Sequence, residues 1–401
     1  MIKYLLLCSL SFLVSKANSY AYTPDKLLIT WVKNPANEAT ISFEPMNGQE
    51  RNLVVFDTIS HKDSLDPDHD YKFQLVATDT NLEDQCRFYS NNKFRYVRVH
   101  LTGLEPDTTY FFRTLSAGKP SEEMHFITGP RRSTSYKLLS GGDSRSDRNQ
   151  RIMMNRQVKK LMEENPSYRA LIHGGDYVMT GKSCSNWRGW LDDHQETITA
   201  NNRVLPIIPT FGNHESGGEK IYRRIFSHPE IASSFYYHIR LGMLDLVILN
   251  SEVSTEGKQK QFLYNTLKKL KDRSSFKIVG YHRPAFPAVK KPATTKTFVP
   301  ILEEFRVQLV LESDGHALKQ TCPIRNEKCR PGGVIYVGEG GLGVPQRTPG
   351  KSDKWYFGSG GYALSQHHIQ SIELDVQQEE VTYRVYFNDD FHYPLSFAIK
   401  D

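Results

Sequence analysis

The chain has 401 residues, which is long enough for two domains with substantial cores. Charged residues make up 24% of it and aromatic residues 11%, and no low-complexity tract interrupts it, so the composition excludes a disordered or fibrous protein. The formal net charge of +6 is too small for a chain of this length to indicate binding to nucleic acid.

The first 21 residues predict a secretory signal peptide. A positive start with Lys3 is followed by an apolar run over residues 4–14 and then by small residues, with cleavage expected after Ser19 or Ala21. The apolar run is well short of the ~20 residues that span a bilayer, which argues against a membrane anchor. No later segment is apolar enough to span a membrane. We therefore expect a secreted or periplasmic protein.

Residues 26–126 alternate between apolar and polar positions in short runs separated by turns. This pattern predicts an antiparallel sandwich of about 100 residues. The expected strands cover residues 27–32, 39–43, 52–56, 71–76, 96–101 and 109–113. Residues 101–110 resemble a fibronectin type III signature, with Tyr110 in the place of a corner tyrosine. We predict an all-β immunoglobulin- or fibronectin-like domain over residues 22–130, which acts as a scaffold or lid.

A linker at residues 129–135 precedes a segment in which strands and helices alternate. The expected strands cover residues 136–140, 170–173, 204–209, 244–250, 276–281 and 307–311, with further strands near 333–337 and 380–387. Helical patterns occupy residues 151–164, 259–271 and 298–305. Alternation of this kind predicts a layered α/β domain, which we assign to residues 135–401.

Four cysteines follow the signal segment, which itself contains Cys8. They are Cys86, Cys184, Cys322 and Cys329, and an even number in an exported chain allows two disulfides in three connectivities. Cys322 and Cys329 bracket a short polar loop that a bridge could close. We therefore favour that pair.

Five polar clusters each follow an apolar run in the second segment. They lie at residues 142–145, 175–177, 212–215, 280–284 and 313–316. Open α/β sheets gather such side chains at the carboxyl ends of their strands. Carboxylates, amides and imidazoles are ligands for a pair of divalent metals, so the pattern predicts metal-assisted hydrolysis of phosphate esters.

The Gly-Asn-His-Glu cluster at residues 212–215 is the most specific of the five. The amide oxygen of Asn213 is a neutral ligand for a hard cation, and His214 can point at a substrate oxygen while Glu215 orients it. Arg145 is donor-only and always charged, so it cannot bind a cation but can form a fork to phosphate oxygens. His173 still lies within a strand pattern, and we interpret it as a core histidine.

With this order and spacing of motifs, the chain resembles the purple acid phosphatases, which are calcineurin-like metallophosphoesterases. The resemblance covers nearly the whole mature chain. It implies a fibronectin-like domain joined to a catalytic β-sandwich flanked by helices, with two metal ions that are Fe, Mn or Zn. Asp143 would bind the first metal and Asp176 would bridge both. Asn213 and His282 would bind the second metal, and His214 would stabilise or protonate the leaving oxygen.

The last family motif, Gly-His-x-His, can be aligned in two ways. Matching residues 315–316 to its first Gly-His requires a deletion and puts Leu318 at the second ligand. The ungapped alignment keeps the following residues in register, and we adopt it. His316 then binds the first metal, and Asp314 replaces the other histidine with a carboxylate that is itself a good ligand.

A second departure from the family falls at its metal-binding tyrosine. The motif Gly-Asp-x-x-Tyr would need tyrosine at position 179, and this chain has Met179. A thioether is a poor ligand for such hard ions, so we expect Met179 to pack rather than bind. Without a tyrosinate there is no charge-transfer colour. We expect a colourless site that binds Mn or Zn.

The leading hypothesis is a secreted phosphatase that hydrolyses phosphate monoesters, with Arg145, His214 and Arg283 contacting the substrate. For Arg283 a surface salt bridge is an equal alternative, and the lysines at 290, 291 and 296 are interpreted as solvated charges. Two other functions stay open. One is a phosphodiesterase or nucleotide hydrolase, and the other is a degenerate, non-catalytic surface-binding protein.

Overall fold

The computed structural model describes residues 22–46, 51–64, 66–80, 82, 86, 94–227, 234–273, 275–350, 354–358, 360–387, 392–393 and 398–400. The predicted signal peptide lies outside these ranges. Within them, no helix combines the length and the apolar character that a membrane crossing requires.

Strands are the main secondary structure described in the N-terminal segment, as its short alternating runs predict. They are β1 (Asp25–Thr30), β2 (Ala39–Glu44), β3 (Leu53–Asp57), β4 (Phe73–Val76), β5 (Thr78–Asp79), β6 (Val97–Leu101), β7 (Thr109–Ser116), β8 (Lys119–Pro120) and β9 (Met124–Ile127). A short helix, α1 (Pro67–Asp70), precedes β4 and starts with proline, which is favoured in a first turn. The hydroxyl of Tyr110 accepts a hydrogen bond from the backbone N–H of Glu105, as expected of a corner tyrosine.

The C-terminal segment alternates strands with helices. Its strands are β10 (Tyr136–Gly141), β11 (Tyr168–His173), β12 (Ile207–Pro209), β13 (Tyr237–Leu241), β14 (Leu244–Ile248), β15 (Phe276–Gly280), β16 (Leu309–Glu312), β17 (Leu318–Gln320), β18 (Ile324–Arg325), β19 (Lys328–Cys329), β20 (Ile335–Gly338), β21 (Tyr362–Leu364), β22 (His368–Asp375), β23 (Glu380–Phe387), β24 (His392–Tyr393) and β25 (Ala398–Lys400). Its helices are α2 (Arg148–Glu164), α3 (Cys184–His194), α4 (Glu219–Ile225), α5 (Lys258–Lys269) and α6 (Val299–Glu304). Short 3-10 turns lie at Gln195–Thr197, Asn213–Glu215, Thr294–Phe298 and Trp355–Phe357.

Helix α2 begins three residues before its apolar pattern does. The carboxylate of Asp147 accepts hydrogen bonds from the backbone N–H groups of Asn149 and Gln150, which caps the helix one turn ahead of the predicted start. Its buried face carries Met154 and Val158, at the spacing of one helix stripe. The cap therefore sets where the helix begins, and the stripe sets which face it buries.

Two large sheets face each other at the centre of the molecule. The first has the order β24-β23-β22-β10-β11-β12-β1-β2-β6-β5, with β25 also paired to β23, and the second has the order β13-β14-β15-β16-β20-β17-β21. Their inner faces form one buried apolar cluster, to which Leu138 and Ile278 belong. Residues of α2 and α3 cover the outer face of the first sheet, and residues of α5 and α6 cover that of the second. The predicted β-sandwich flanked by helices is confirmed.

The first sheet runs without a break from one segment into the other. Strand β1 lies parallel to β12, and the backbone N–H of Trp31 donates to the carbonyl of Ile207. Leu28 and Ile29, adjacent in β1, are buried on opposite faces of the sheet. Strand β12 therefore has a hydrogen-bonded neighbour on each side, and the loop that follows it starts from a fixed position.

Two disulfides are present, Cys86–Cys184 and Cys322–Cys329. The favoured pairing of Cys322 with Cys329 is confirmed. The other bridge ties the N-terminal segment to the first residue of α3 across 98 positions of sequence. It adds a covalent link between the two segments to the sheet that they share.

Three of the buried histidines, His173, His194 and His368, are held neutral by their surroundings. His173, interpreted as a core histidine, stacks on Tyr177, and His194 stacks on Trp190. Burial lowers the pKa of His173 well below its usual value and lowers the pKa values of His194 and His368 to about 4. Each of these rings thus resists protonation in the folded state and accepts a proton once the chain unfolds.

These lowered pKa values predict that the fold loses stability in acid. A histidine with a folded pKa below its unfolded value stabilises the fold above pH 6.5, and that stability is lost as the pH falls toward 4. Between pH 7 and pH 4.5 we expect His194 and His368 each to remove about 2 kcal/mol from the free energy of unfolding. Denaturant titrations at both pH values measure the loss. It should shrink in a variant with His194→Gln and His368→Gln, but not in the exposed control His69→Gln; an unchanged loss in the double variant would contradict the account.

Candidate metal centre

The polar clusters meet at one end of the two facing sheets, where parallel strands of each sheet finish. Asp143 follows β10 and Asp176 follows β11 in the first sheet, and His282 follows β15 in the second. Four expected ligands have left-handed backbone conformations, which non-glycine residues adopt rarely and which concentrate at functional sites. The four are Asp143, Asp176, Asp314 and His316, with φ values of 57°, 57°, 67° and 56°.

Asp143, Asp176 and His282 form a compact ligand group. Each is buried, and each contributes one ligand atom within 4.8 Å of the others. Nδ1 of His282 lies 2.8 Å from the carbonyl oxygen of Gly174, and because a carbonyl can only accept, Nδ1 carries the proton. Nε2 is therefore the nitrogen directed at the group, 3.2 Å from Oδ1 of Asp176 and 3.1 Å from Oδ1 of Asn213. Two carboxylates, an amide oxygen and an imidazole fit a Mn, Fe or Zn ion.

Asp143 has one satisfied carboxylate oxygen and one unsatisfied oxygen. Its Oδ2 accepts a hydrogen bond of 2.9 Å from the backbone N–H of Asp314. Its Oδ1 is buried and has no hydrogen-bond partner among the residues that the structure describes. A buried anionic oxygen without a donor is costly, and a bound cation would remove that cost. This oxygen is the strongest single indication that the group binds a metal.

The charges of the group stabilise each other. Burial alone lowers the pKa of His282, but the carboxylates of Asp176, Asp143 and Asp314 outweigh it and hold that pKa well above its usual value. Burial alone raises the pKa of Asp176, and the charges of His282 and His214 reverse the effect, so this carboxyl stays ionised in acid. The buried carboxylates of the group are thus stabilised by nearby positive charge, which a metal ion would supply.

Arg145 folds back onto the centre. Its Nε lies 3.1 Å from Oδ2 of Asp176, and its Nη2 lies 3.3 Å from Nε2 of His316. Nη1 lies 2.8 Å from Oγ of Ser146 and 3.3 Å from Sδ of Met179. The guanidinium therefore lies between two residues that the family resemblance assigns to the first metal. Around that first position the side chains do not fit a cation.

His316 lies beside Asp143 but outside the compact ligand group. Its Nε2 is 3.3 Å from Oδ1 of Asp143 and faces the Arg145 guanidinium as well. Its backbone N–H donates to the carbonyl of Glu339, which fixes the loop after β16. His316 is thus near the expected place, with its ring nitrogen engaged by an arginine.

Asp314 is engaged by cations that belong to the chain itself. Lys290 forms a short ion pair with its Oδ1, which also lies 3.7 Å from Nε2 of His282. Burial alone raises the pKa of Asp314, and His282 and Lys290 lower it below its usual value. The interpretation of Lys290 as a solvated surface charge is wrong, because its ammonium group neutralises the carboxylate that replaces the family histidine.

Arg283 pairs with Glu252. Its Nε lies 2.8 and 2.9 Å from the two carboxylate oxygens of Glu252, and its Nη1 lies 3.9 Å from Oδ2 of Asp314. Of the two alternatives for Arg283, the salt bridge is the one present. The pair places the Arg283 guanidinium at the edge of the centre near Asp314, with its charge offset by Glu252.

His214 is the accessible histidine of the centre, with 23% of its side chain exposed. Its Nδ1 donates to the carbonyl oxygen of Met179 at 2.7 Å, so the other nitrogen, Nε2, is directed toward Asp176, 3.8 Å from Oδ2. The expectation that Glu215 orients this ring is wrong. Met179 does so through its backbone, a role that no side-chain pattern in the sequence could reveal.

Glu215 instead holds two loops together. Its buried carboxylate accepts hydrogen bonds from the backbone N–H groups of Gly212, Asp176 and Tyr177, at 3.0, 2.8 and 2.9 Å. Gly212 is required at this contact, because a Cβ there would lie 2.5 Å from Oδ1 of Asp176. Glu215 thus fixes the Asp176 loop to the Asn213 loop. The only sequence signal for this role is its place directly after Asn-His.

A bound cation should stabilise the fold measurably. Because the ligand atoms converge only in the folded chain, a cation at 100 times its dissociation constant should add about 2.7 kcal/mol to the free energy of unfolding. Thermal unfolding of chelator-treated protein with and without MnCl₂ or ZnCl₂ measures this gain. Asp143→Asn should abolish it, whereas Asp192→Asn, which alters the ion pair with Lys26, should retain it. An equal gain in Asp143→Asn would contradict the assignment of the ligands.

Two family models match the chain. Residues 24–128 match a model described as the N-terminal domain of purple acid phosphatases, and residues 137–318 match the calcineurin-like phosphoesterase model. Purple acid phosphatase 23 of Arabidopsis thaliana is 25% identical over 376 residues, which cover 80% of this chain and 77% of that protein. Uncharacterized proteins of two Mycobacterium tuberculosis strains are 23% identical over 305 residues, which cover 65% of this chain. The match spans only 54% of their length.

Solved structures show the same fold. A purple acid phosphatase from yellow lupin (Lupinus luteus) seeds superimposes with a TM-score of 0.77 at 15% identity, over 94% of this chain and 74% of the lupin chain. PhoD superimposes with a TM-score of 0.65 at 12% identity, over 95% of this chain and 90% of that one. Both family models match the chain in the expected order, and the fold agrees with them. The chain is therefore a purple acid phosphatase-like member of the calcineurin-like phosphoesterases.

Proposed function

We propose that this protein is an exported, metal-dependent phosphatase that hydrolyses phosphate monoesters. The observation that carries the proposal is the buried group of Asp143, Asp176 and His282, in which Oδ1 of Asp143 has no hydrogen-bond donor among the described residues. These residues would hold a divalent cation, which would supply Lewis acidity toward the phosphoryl group and lower the pKa of bound water.

His214 is suited to handle the proton of the leaving group. The Met179 carbonyl keeps the proton on Nδ1, which leaves Nε2 directed toward Asp176 on the accessible side of the ligand group. A protonated Nε2 can donate to the oxygen of the departing alcohol, and such general acid catalysis typically contributes 10²–10⁴-fold. Asp176 supports the protonated ring electrostatically, since its Oδ2 is the nearest carboxylate oxygen.

The preference for a monoester over a diester is proposed on the similarity to purple acid phosphatases. A phosphate monoester carries up to two negative charges, whereas a diester carries one. Arg145, Arg283 and Lys290 lie at the edge of the centre, and each is paired with a carboxylate, of Asp176, Glu252 and Asp314 respectively. The positive charge that would bind the more negative substrate more tightly would therefore come from the bound cation.

Export is proposed on the signal-like first 21 residues and on the two disulfides, which persist in oxidising compartments. A phosphatase outside the cytoplasm would act on phosphate esters in its surroundings. Expression of the full chain with detection in the medium or periplasm tests this point, and retention of the uncut chain in the cytoplasm would contradict it.

Hydrolysis of an aryl phosphate monoester tests the proposed chemistry. We expect turnover of the monoester to exceed that of the corresponding diester, and we expect His214→Ala to lower kcat for the monoester about 10²–10⁴-fold. Steady-state kinetics with Mn²⁺ or Zn²⁺ measure both. His100→Ala, on β6 of the N-terminal segment, is the matched control and should keep the wild-type rate. Diester turnover above monoester turnover would favour a phosphodiesterase, and no turnover of either would favour a non-catalytic binding protein.

A further inference from the structure

The Arg145 side chain is not directed outward, as would be expected of a side chain that only binds substrate. Only 12% of its side chain is exposed, and its guanidinium is turned inward onto the ligand group. Nε contacts Oδ2 of Asp176, and Nη2 contacts Nε2 of His316. Oδ1 of Asp176 faces His282 and the backbone N–H of His214 instead. Asp176 therefore bridges a metal-binding side and a guanidinium side.

The contacts of Arg145 use the atoms that a first metal would need. A guanidinium stays charged and has no lone pair to offer, so it cannot become a ligand. Its N–H group on Nε2 of His316 engages the lone pair through which that ring would bind a cation. Its charge also lies against Oδ2 of Asp176, where it would repel a divalent ion. A first metal and this side-chain position are therefore incompatible.

The residue at position 179 is consistent with a first position that binds no metal ion. The family resemblance assigns an anionic tyrosine ligand to that position, and Met179 offers only a neutral thioether. The thioether lies 3.3 Å from Nη1 of Arg145 and 3.1 Å from Oγ of Ser146, and the side chain is 48% exposed. The loss of a negative ligand and the presence of a positive side chain thus coincide at one place. Both reduce the affinity of that place for a second cation.

The part of the centre around His282 offers four ligands, and these include Asp143, which the family resemblance assigns to the first metal. Asp143, Asp176 and His282 converge within 4.8 Å, and the amide oxygen of Asn213 lies 3.1 Å from Nε2 of His282. Among the described residues, Arg145 makes no hydrogen bond with His282 or Asn213. One cation can therefore bind on this side while Arg145 keeps its position.

We propose that this centre binds a single divalent cation through Asp143, Asp176, His282 and Asn213, and that the Arg145 guanidinium takes the place of a second cation. The inference deepens the proposed function and rests on it. The phosphoryl group would be held between one metal ion and one fixed organic cation. The guanidinium then provides positive charge at the first position whether or not a metal ion is available.

Manganese stoichiometry tests the inference. Chelator-treated protein is titrated with Mn²⁺ by calorimetry, and the bound manganese is measured by elemental analysis after gel filtration. We expect one Mn²⁺ per chain for the wild type. Arg145→His removes the fixed cation and adds an imidazole, so we expect two Mn²⁺ per chain, and Arg145→Ala serves if the histidine variant does not fold. Arg148→Ala is the matched control, since Arg148 is an exposed arginine that pairs with Asp193, and it should keep one.

Electron paramagnetic resonance of the manganese-loaded proteins gives an independent readout. An isolated ion gives a six-line spectrum, and two neighbouring ions give a coupled one, so the wild type should show the first and Arg145→His the second. Two Mn²⁺ in the wild type would overturn the inference, even with full phosphatase activity. One Mn²⁺ in both proteins would overturn the role of the guanidinium. One Mn²⁺ in the wild type without hydrolysis of either ester would support the inference and overturn the proposed function, and no bound Mn²⁺ would overturn both.

Discussion

The centre of this protein is governed by the burial of three neighbouring carboxylates, those of Asp143, Asp176 and Asp314. Buried charges are tolerated only when they are paired, and like charges at short range raise the cost further. The chain supplies part of the pairing from its own side chains. Arg145 pairs with Asp176, and Lys290 pairs with Asp314. Oδ1 of Asp143 has no hydrogen-bond donor among the described residues, so a bound metal cation would stabilise this oxygen most.

The fold keeps these charges together by fixing the loops that carry them. Strands β10, β11 and β12 run parallel and end at the same edge, facing the ends of β15 and β16 in the second sheet. Glu215 joins the loops after β11 and β12 through three backbone N–H groups. The extension of the first sheet into the N-terminal segment gives β12 a neighbour on its other side. The N-terminal segment thus supports the centre, and none of the residues described in it belongs to the ligand group.

Most of the fold followed from local patterns in the sequence. Apolar runs marked many strands of both sheets, although β13, β17, β21 and β22 were not predicted, and the glycine-rich clusters marked the loops that meet at the centre. Helix α3 was missed, although Trp187, Trp190 and Leu191 have helical spacing, because Gly, Ser and Asn in the same stretch favour a loop. The pairing of β1 with β12 could not be predicted, since it joins residues 30 and 207 through a single short ladder. Contacts so distant in sequence leave no local signal.

The sequence predicted the positions of those ligands of the candidate centre that have short side chains. Asp143, Asp176, Asn213 and His282 lie where the strand ends put them, because few rotatable bonds separate their ligand atoms from the backbone. Arg145 and Lys290 have long side chains whose ends can reach several partners, and their sequence positions did not reveal that they turn inward. The sequence therefore indicated two metals, whereas the contacts of Arg145 favour one.

Anomalous X-ray diffraction from crystals grown with Mn²⁺ tests the central claim most directly, because it locates each bound ion. The account predicts one anomalous peak per chain, within coordination distance of Asp143, Asp176 and His282, with the Arg145 guanidinium still against Asp176. A second peak between Asp176 and His316, with Arg145 displaced, would contradict it.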